Sequence, residues 1–179
     1  MICNICRSDA ASSFKTLDGK TYWSCNVCEC KHLDKLYFID PVEEEQRYLE
    51  HNNDIKDNEY RAFLSRLSDP LKEKISPGFN GLDFGCGTGP ALADMLTQDG
   101  FKVELYDPFF FPDEGALSKQ YDFITCTETA EHFYDPFKEF ETLDSLLKPG
   151  GWLGVMTSFL TSDEMFENWY YRRDPTHVT

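Results

Sequence analysis

Apolar and polar positions alternate at two different periods along this chain. Four strand-length apolar segments stand at Gly81–Phe84, Lys102–Tyr106, Asp122–Cys126 and Trp152–Thr157. Between them lie stretches of helical period. Ala91 to Leu96 is amphipathic, and Phe137, Phe140, Leu143 and Leu147 make one apolar stripe behind the capping pair Asp135-Pro136. Ahead of the first strand, Tyr60, Phe63, Leu64 and Leu67 follow the i, i+3, i+4, i+7 spacing of a helix that begins near Asn58 and that Pro70 bends or ends. Asp40-Pro41, followed by Glu43, Glu44 and Glu45, opens an earlier helix, with acids at the positive end of its dipole. Gly100 suits a helix C′ position, and Thr161-Ser162-Asp163-Glu164 reads as a capping box for a last helix. The expectation is an α/β domain with ligands at the carboxyl ends of its strands.

The N-terminal segment has a different character. Cys3-x-x-Cys6 and Cys25-x-x-Cys28 flank a hairpin that turns at Asp18-Gly19. Two paired thiolate knuckles at that spacing match tetrahedral zinc, so Cys3, Cys6, Cys25 and Cys28 are the expected ligands. Cys30 and His32 are spare donors, and two disulfides or free core cysteines are the alternatives. Four protein thiolates leave no open position, so the zinc is expected to be structural. The boundaries expected are residues 1–38 for the zinc ribbon, 39–76 for a helical linker and 77–179 for the main domain, with Pro77-Gly78 at the junction.

The main domain is organised around Leu82-Asp83-Phe84-Gly85-Cys86-Gly87-Thr88-Gly89-Pro90. Glycines at alternate positions after an apolar run allow positive φ and let a ligand lie against bare backbone. The following helix offers it unpaired N–H groups. The pattern is D-x-G-x-G-x-G. It is neither the G-x-G-x-x-G of nicotinamide oxidoreductases nor a P-loop with its Gly-Lys-Ser/Thr.

This stretch resembles motif I of the class I S-adenosylmethionine-dependent methyltransferases. Asp107 stands at the end of the next strand; Tyr121-Asp122-Phe123-Ile124-Thr125-Cys126-Thr127-Glu128-x-x-Glu131-His132 resembles the family's fourth-strand motif, and Leu147-Lys148-Pro149-Gly150-Gly151 its fifth-strand entry. The resemblance covers about 100 of the 179 residues. It implies a Rossmann-like sheet, S-adenosylmethionine as cofactor and a small-molecule methyl acceptor. Asp83, Gly85, Cys86, Gly87 and Gly89 would form the cofactor loop, with Asp107 on the ribose hydroxyls. Pro108 and Phe109 begin a proline-bounded aromatic loop that either packs on adenine or fills core. Thr127 and Glu128 stand at a strand tip. Helices before the first strand cover the cofactor in this family, which makes Tyr48, His51, Asn52 and Asn53 candidates, against packing for Tyr48 and a solvated helix end for His51.

His132 is the candidate base, with His177 in the Tyr-Arg-Arg-Asp-Pro-Thr-His run as runner-up; a structural role for His132 is the alternative. Trp169, Tyr170 and Tyr171 are candidates to line the acceptor pocket. The chain departs from the family in two places. Only 14 residues, Pro108 to Tyr121, stand where a helix and a third strand are usual, so that unit is expected to be abbreviated. The sequence holds no residues for the C-terminal strand pair, so the expectation is either a truncated chain or an open sheet edge that would invite a homodimer. The other functional reading is a non-catalytic zinc-ribbon adaptor that binds cofactor without turnover.

Charge narrows the partners. With 32 acids against 17 bases the net charge is −15, which repels phosphate backbones and argues against nucleic acid as partner. It favours a cation such as a sulfonium, although solubility alone explains it equally well. No apolar run approaches membrane-spanning length, and Met1-Ile2-Cys3 does not begin a signal peptide, so no membrane partner and a cytoplasmic location are expected.

Overall fold

Two sheets share the chain. In the computed structural model, which describes residues 1–50 and 54–179, the first sheet is an antiparallel ribbon of β1 (Ala11–Leu17), β2 (Lys20–Cys25) and β3 (Lys31–Leu33). Its hairpin turns where the sequence predicts. Asp18 and Gly19 both have positive φ (52° and 76°), the primed turn geometry that matches the right-handed twist of the flanking strands.

The second sheet is wholly parallel, with order β5-β4-β6-β7, built from β4 (Asn80–Phe84), β5 (Lys102–Tyr106), β6 (Tyr121–Thr127) and β7 (Leu147–Met156). Four helices accompany it: α1 (Pro41–Leu49), α2 (Asn58–Lys72), α3 (Ala91–Gln98) and α4 (Pro136–Leu146). One face buries Leu64 and Leu71 of α2 with Leu92 and Leu96 of α3 against Phe123. The other buries Leu143 and Leu146 of α4 against Leu82, Phe84 and Ile124. The two central strands, β4 and β6, are covered on both faces and read as apolar runs, which is why they are legible in the sequence. A Cβ on Gly81 would run into the Phe123 ring, so this glycine makes room for that ring.

Several expectations need correcting. Pro70 does not end α2, which continues to Lys72 with Leu71 and Ile75 buried beyond the proline; burial there outweighs the missing backbone bond. The last helix is two short 3-10 turns, Asp163–Asn168 and Tyr170–Arg173, and Ser162 makes no side-chain cap. Strand β7 begins at Leu147 rather than Trp152, because Leu147 already pairs with Tyr121 before a register irregularity carries the ladder to Phe123 and Trp152. As the short spacing predicts, the third unit is abbreviated: among the described residues only an Asp107–Phe111 bridge and a 3-10 turn at Ala116–Ser118 lie between β5 and β6.

The ribbon is packed on the C-terminal segment. Tyr22 and Leu33 share a core with Phe166 and Val178. The Phe166 ring meets Tyr22 edge-on at 4.9 Å and Phe14 at 5.2 Å. The Leu33 N–H donates to the Val178 carbonyl (2.9 Å), Arg172 pairs with Asp18 (3.0 Å), and Arg7 pairs with Asp135 while lying 5.0 Å over the Phe137 ring. Phe166→Ala removes the ring that both sides of this joint bury and is expected to cost about 3–5 kcal/mol. Urea unfolding followed by tryptophan fluorescence will measure it, and a loss below about 1 kcal/mol would mean that the ribbon does not depend on this ring.

Candidate active site

The carboxyl ends of β4, β5 and β6 open on a cleft of about 890 Å³, at the point where chain order reverses across the sheet: β5 lies on one side of β4 and β6 on the other. Its floor is the glycine turn. Gly85 and Gly87 have positive φ (73° and 63°), and the N–H groups of Gly85 and Cys86 donate to the Tyr106 carbonyl (2.8 and 3.3 Å). Asp107 fixes the turn from the neighbouring strand. Its Oδ2 accepts the Gly87 N–H (3.0 Å), and its Oδ1 accepts those of Phe109 and Phe110 (2.9 and 3.1 Å). Asp107 is therefore both the turn residue before Pro108 and a carboxylate on the cleft wall.

Asp83 is buried beneath the turn. It accepts the Thr125 hydroxyl (2.7 Å), which ties β4 to β6. Burial pushes its carboxyl up to about 6. Cys86, Gly89, Pro108, Phe109, Thr127 and Glu128 also line the cleft. His51, Asn52 and Asn53 lie outside the described residues.

The opposite wall is acidic and aromatic. Glu128 is held at positive φ (49°), with its N–H on the Met156 carbonyl (2.7 Å). A non-glycine residue in that region costs of order 1–3 kcal/mol and marks strain of the kind found at functional sites. Burial, then the charge of Glu131, pushes its carboxyl up to about 7. Glu131 is 3% exposed. It accepts the Tyr171 hydroxyl on one oxygen and the Thr157 hydroxyl on the other (3.1 Å), and burial raises its carboxyl too.

His132 follows in the same 3-10 turn. Its Nδ1 lies 3.1 Å from the Thr176 carbonyl; a carbonyl only accepts, so Nδ1 carries the proton. The His177 ring lies 4.7 Å from that of His132 and 4.1 Å from that of Tyr171. The two histidines predicted from distant stretches are thus brought together. Tyr48 joins them, its ring 5.2 Å from His132 and 5.6 Å from Phe109 and its hydroxyl on Glu44 (2.6 Å). Tyr170 and Tyr171 line the cleft, but Trp169 does not: it turns into the core shared with the ribbon, against Phe166.

The cysteines form a second centre. One sulfur from each of Cys3, Cys6, Cys25 and Cys28 lies within 4.8 Å of the others. Cys3 and Cys28 are 3.7 Å apart, Cys6 and Cys25 3.6 Å. Sulfurs about 2.3 Å from a tetrahedral zinc are separated by about 3.8 Å, so this donor set fits the ion, whereas a disulfide needs about 2.05 Å. Arg7 and Glu29, each following the second cysteine of its knuckle, have matching positive φ (59° and 61°). The Ile5 and Val27 N–H groups donate to the Cys3 and Cys25 sulfurs (both 3.4 Å). Of the spare donors, Cys30 lies 3.6 Å from Cys3, while His32 is buried away from this set with Nδ1 on the Leu33 carbonyl (3.4 Å).

A family model described as a methyltransferase domain matches residues 35–179. The chain belongs to this methyltransferase domain family. Among solved structures it is similar to coclaurine N-methyltransferase bound to N-methylheliamine and SAH, with 20% identity and a TM-score of 0.40 over 68% of this chain; the match spans 44% of that enzyme's length. A comparison with curated proteins finds no match. Among the described residues no helix is long and apolar enough to cross a membrane.

This methyltransferase domain also uses residues that sequence reasoning missed. Tyr60 lines the cleft from α2, and burial pushes its phenol up to about 12. A tyrosine in an otherwise aliphatic stripe is the signal that was available, since its hydroxyl needs a polar neighbour. Arg47 of α1 clamps Asp174 (2.8 Å) at the cleft's edge, a pairing across 127 residues that no local pattern announces. Thr129 closes over the turn, its hydroxyl on the Gly85 carbonyl (3.1 Å). A Cβ on Gly85 would collide with the Thr129 side chain. Gly85→Ala should therefore cost about 1–3 kcal/mol, from both the positive φ and the collision. Thr129→Ala should recover part of that loss. Urea unfolding of the four proteins of this cycle checks the coupling, and strictly additive effects would contradict it.

Proposed function

We propose that this domain transfers a methyl group from S-adenosylmethionine to a small-molecule acceptor, and that a structural zinc holds its N-terminal ribbon. The observation that carries the reading is Asp107 with the glycine turn: a strand-tip carboxylate bound to the backbone of a positive-φ glycine loop, both on one cleft. The cleft's volume falls within the range for ligand sites of about 300–1,000 Å³. Gly85, Cys86, Gly87 and Gly89 are assigned to the amino-acid end of the cofactor, Asp107 to its ribose hydroxyls, and Pro108 and Phe109 to its adenine. Asp83 serves beneath the loop, and Thr127 and Glu128 near the sulfonium, where a carboxylate favours positive charge.

When bound, the cofactor supplies an activated methyl group; the protein's own work is alignment and the exclusion of water. The acceptor lies toward Tyr48, Tyr170 and Tyr171. His132 and His177, which stand together at that end, are assigned to easing the loss of a proton from its nucleophilic atom. The edge strands β5 and β7 are where a second copy would pair. The N-terminal 38 residues are assigned to the ribbon, 39–76 to the cofactor cover and 77–179 to the transfer domain.

Two measurements test this reading. Asp107→Ala removes a charge-assisted contact and should weaken S-adenosylhomocysteine binding by about 1.5–3 kcal/mol, roughly 10- to 150-fold, in calorimetry. Unchanged affinity would place the ribose elsewhere. Elemental analysis of protein given one equivalent of zinc and then desalted should find that zinc retained. Cys25→Ser should lose that zinc and, with it, the tryptophan fluorescence of the folded ribbon; a variant that keeps both would overturn the zinc assignment.

A further inference from the structure

We propose that Glu131, His132 and His177 form a second metal site, which binds a divalent cation through nitrogen and oxygen at the acceptor end of the cleft. A carboxylate oxygen and one nitrogen from each imidazole lie within 4.8 Å of one another. Donors about 2.0–2.2 Å from an ion stand about 3–3.5 Å apart, so modest closure of the three side chains seats one. All three residues line the cleft. A three-residue set leaves coordination positions open toward that space, unlike the four cysteines.

The surroundings are those of a ligand set already oriented. The His132 Nδ1–H donates to the Thr176 carbonyl, the outer contact that metal-bound imidazoles characteristically make, and it leaves Nε2 as the nitrogen with the lone pair. Both oxygens of Glu131 are positioned by hydroxyls, those of Tyr171 and Thr157. The two segments that bring the ligands are laced together by backbone: the Val178 and Thr179 N–H groups both donate to the Glu131 carbonyl (2.8 and 3.2 Å). A carboxylate as buried as Glu131 is expected to be paired or to ligate an ion. The donors separate the two sites chemically. Thiolates select zinc, while two imidazoles and a carboxylate accept Mn²⁺, Fe²⁺, Co²⁺ or Zn²⁺.

What the ion would do rests on the methyltransferase reading. A hydroxyl of the acceptor bound in an open position gives up its proton to solvent more readily, because the cation stabilises the oxyanion left behind. His132 and His177 then act on the acceptor's proton through the ion.

The test uses full-length protein carrying one equivalent of zinc, which the thiolates take, titrated with Mn²⁺ and followed by electron paramagnetic resonance and calorimetry. One Mn²⁺ per chain is expected to bind. Glu131→Gln and His177→Ala should each weaken binding at least about tenfold while keeping one zinc in the thiolate site, which reports that the variants fold. Absence of Mn²⁺ binding in the unaltered protein, or equal affinity in all three, overturns the proposal. If either variant fails to retain zinc, His132→Gln replaces it under the same criterion. S-adenosylhomocysteine affinity is measured on the same samples. Cofactor bound without Mn²⁺ defeats this inference alone, and Mn²⁺ bound without cofactor defeats the methyltransferase reading alone.

Discussion

The carboxylate of Asp107 holds the glycine turn open. Its bond to the Gly87 N–H spans the gap between two strand ends, and its other oxygen caps the first residues of the loop after β5. A turn with two left-handed glycines has many alternative conformations in isolation. Anchored to the next strand, it has one, and the cleft's floor keeps its shape before any ligand arrives. Pre-organisation of that kind lowers the ordering cost of binding. Asp83 works from below in the same sense, tying β4 to β6 through Thr125, although burial penalises its charge.

The C-terminal segment carries the second half of the design. Val178 donates its N–H to Glu131 and accepts that of Leu33 with its carbonyl, so one residue touches both the candidate site and the ribbon. Thr176 orients His132, Asp174 receives Arg47, and Phe166 fills the ribbon's core. Thirty-odd residues of ribbon bury too little apolar surface to be stable alone. The aromatic core shared with the C-terminal segment supplies part of what is lacking. The ribbon and the Glu131–His132 end of the cleft are mechanically joined through residues 174–179.

Much of this was readable along the chain, for a physical reason in each case. Strands buried on both faces must be apolar runs, and glycines at positive φ have few substitutes, so β4, β6 and the turn after β4 stood out. The Cys-x-x-Cys pairs were legible because metal geometry fixes their spacing. The errors arose where a local rule met tertiary burial. Pro70 should stop a helix, yet Leu71 and Ile75 bury beyond it. Thr161 to Glu164 has a capping box's letters, but the chain there packs on the ribbon as short 3-10 turns. Trp169 was placed in the pocket by its company and was turned away by the pull of a larger aromatic core.

The sequence by itself determined the order of elements, the glycine turn, the two Cys-x-x-Cys knuckles and the strand-tip acids, because each depends on local spacing. Only the tertiary structure decided which distant groups meet. The pairing of Arg47 with Asp174, the meeting of Tyr60 and Asp83 on one cleft, and the gathering of Glu131, His132 and His177 all cross long separations. The β6 turn and the C-terminal segment each look ordinary alone. Their juxtaposition is set by packing against the ribbon and by the backbone bonds between Glu131 and Val178, and such contacts depend on the closure of long loops that leave no periodic mark in the chain.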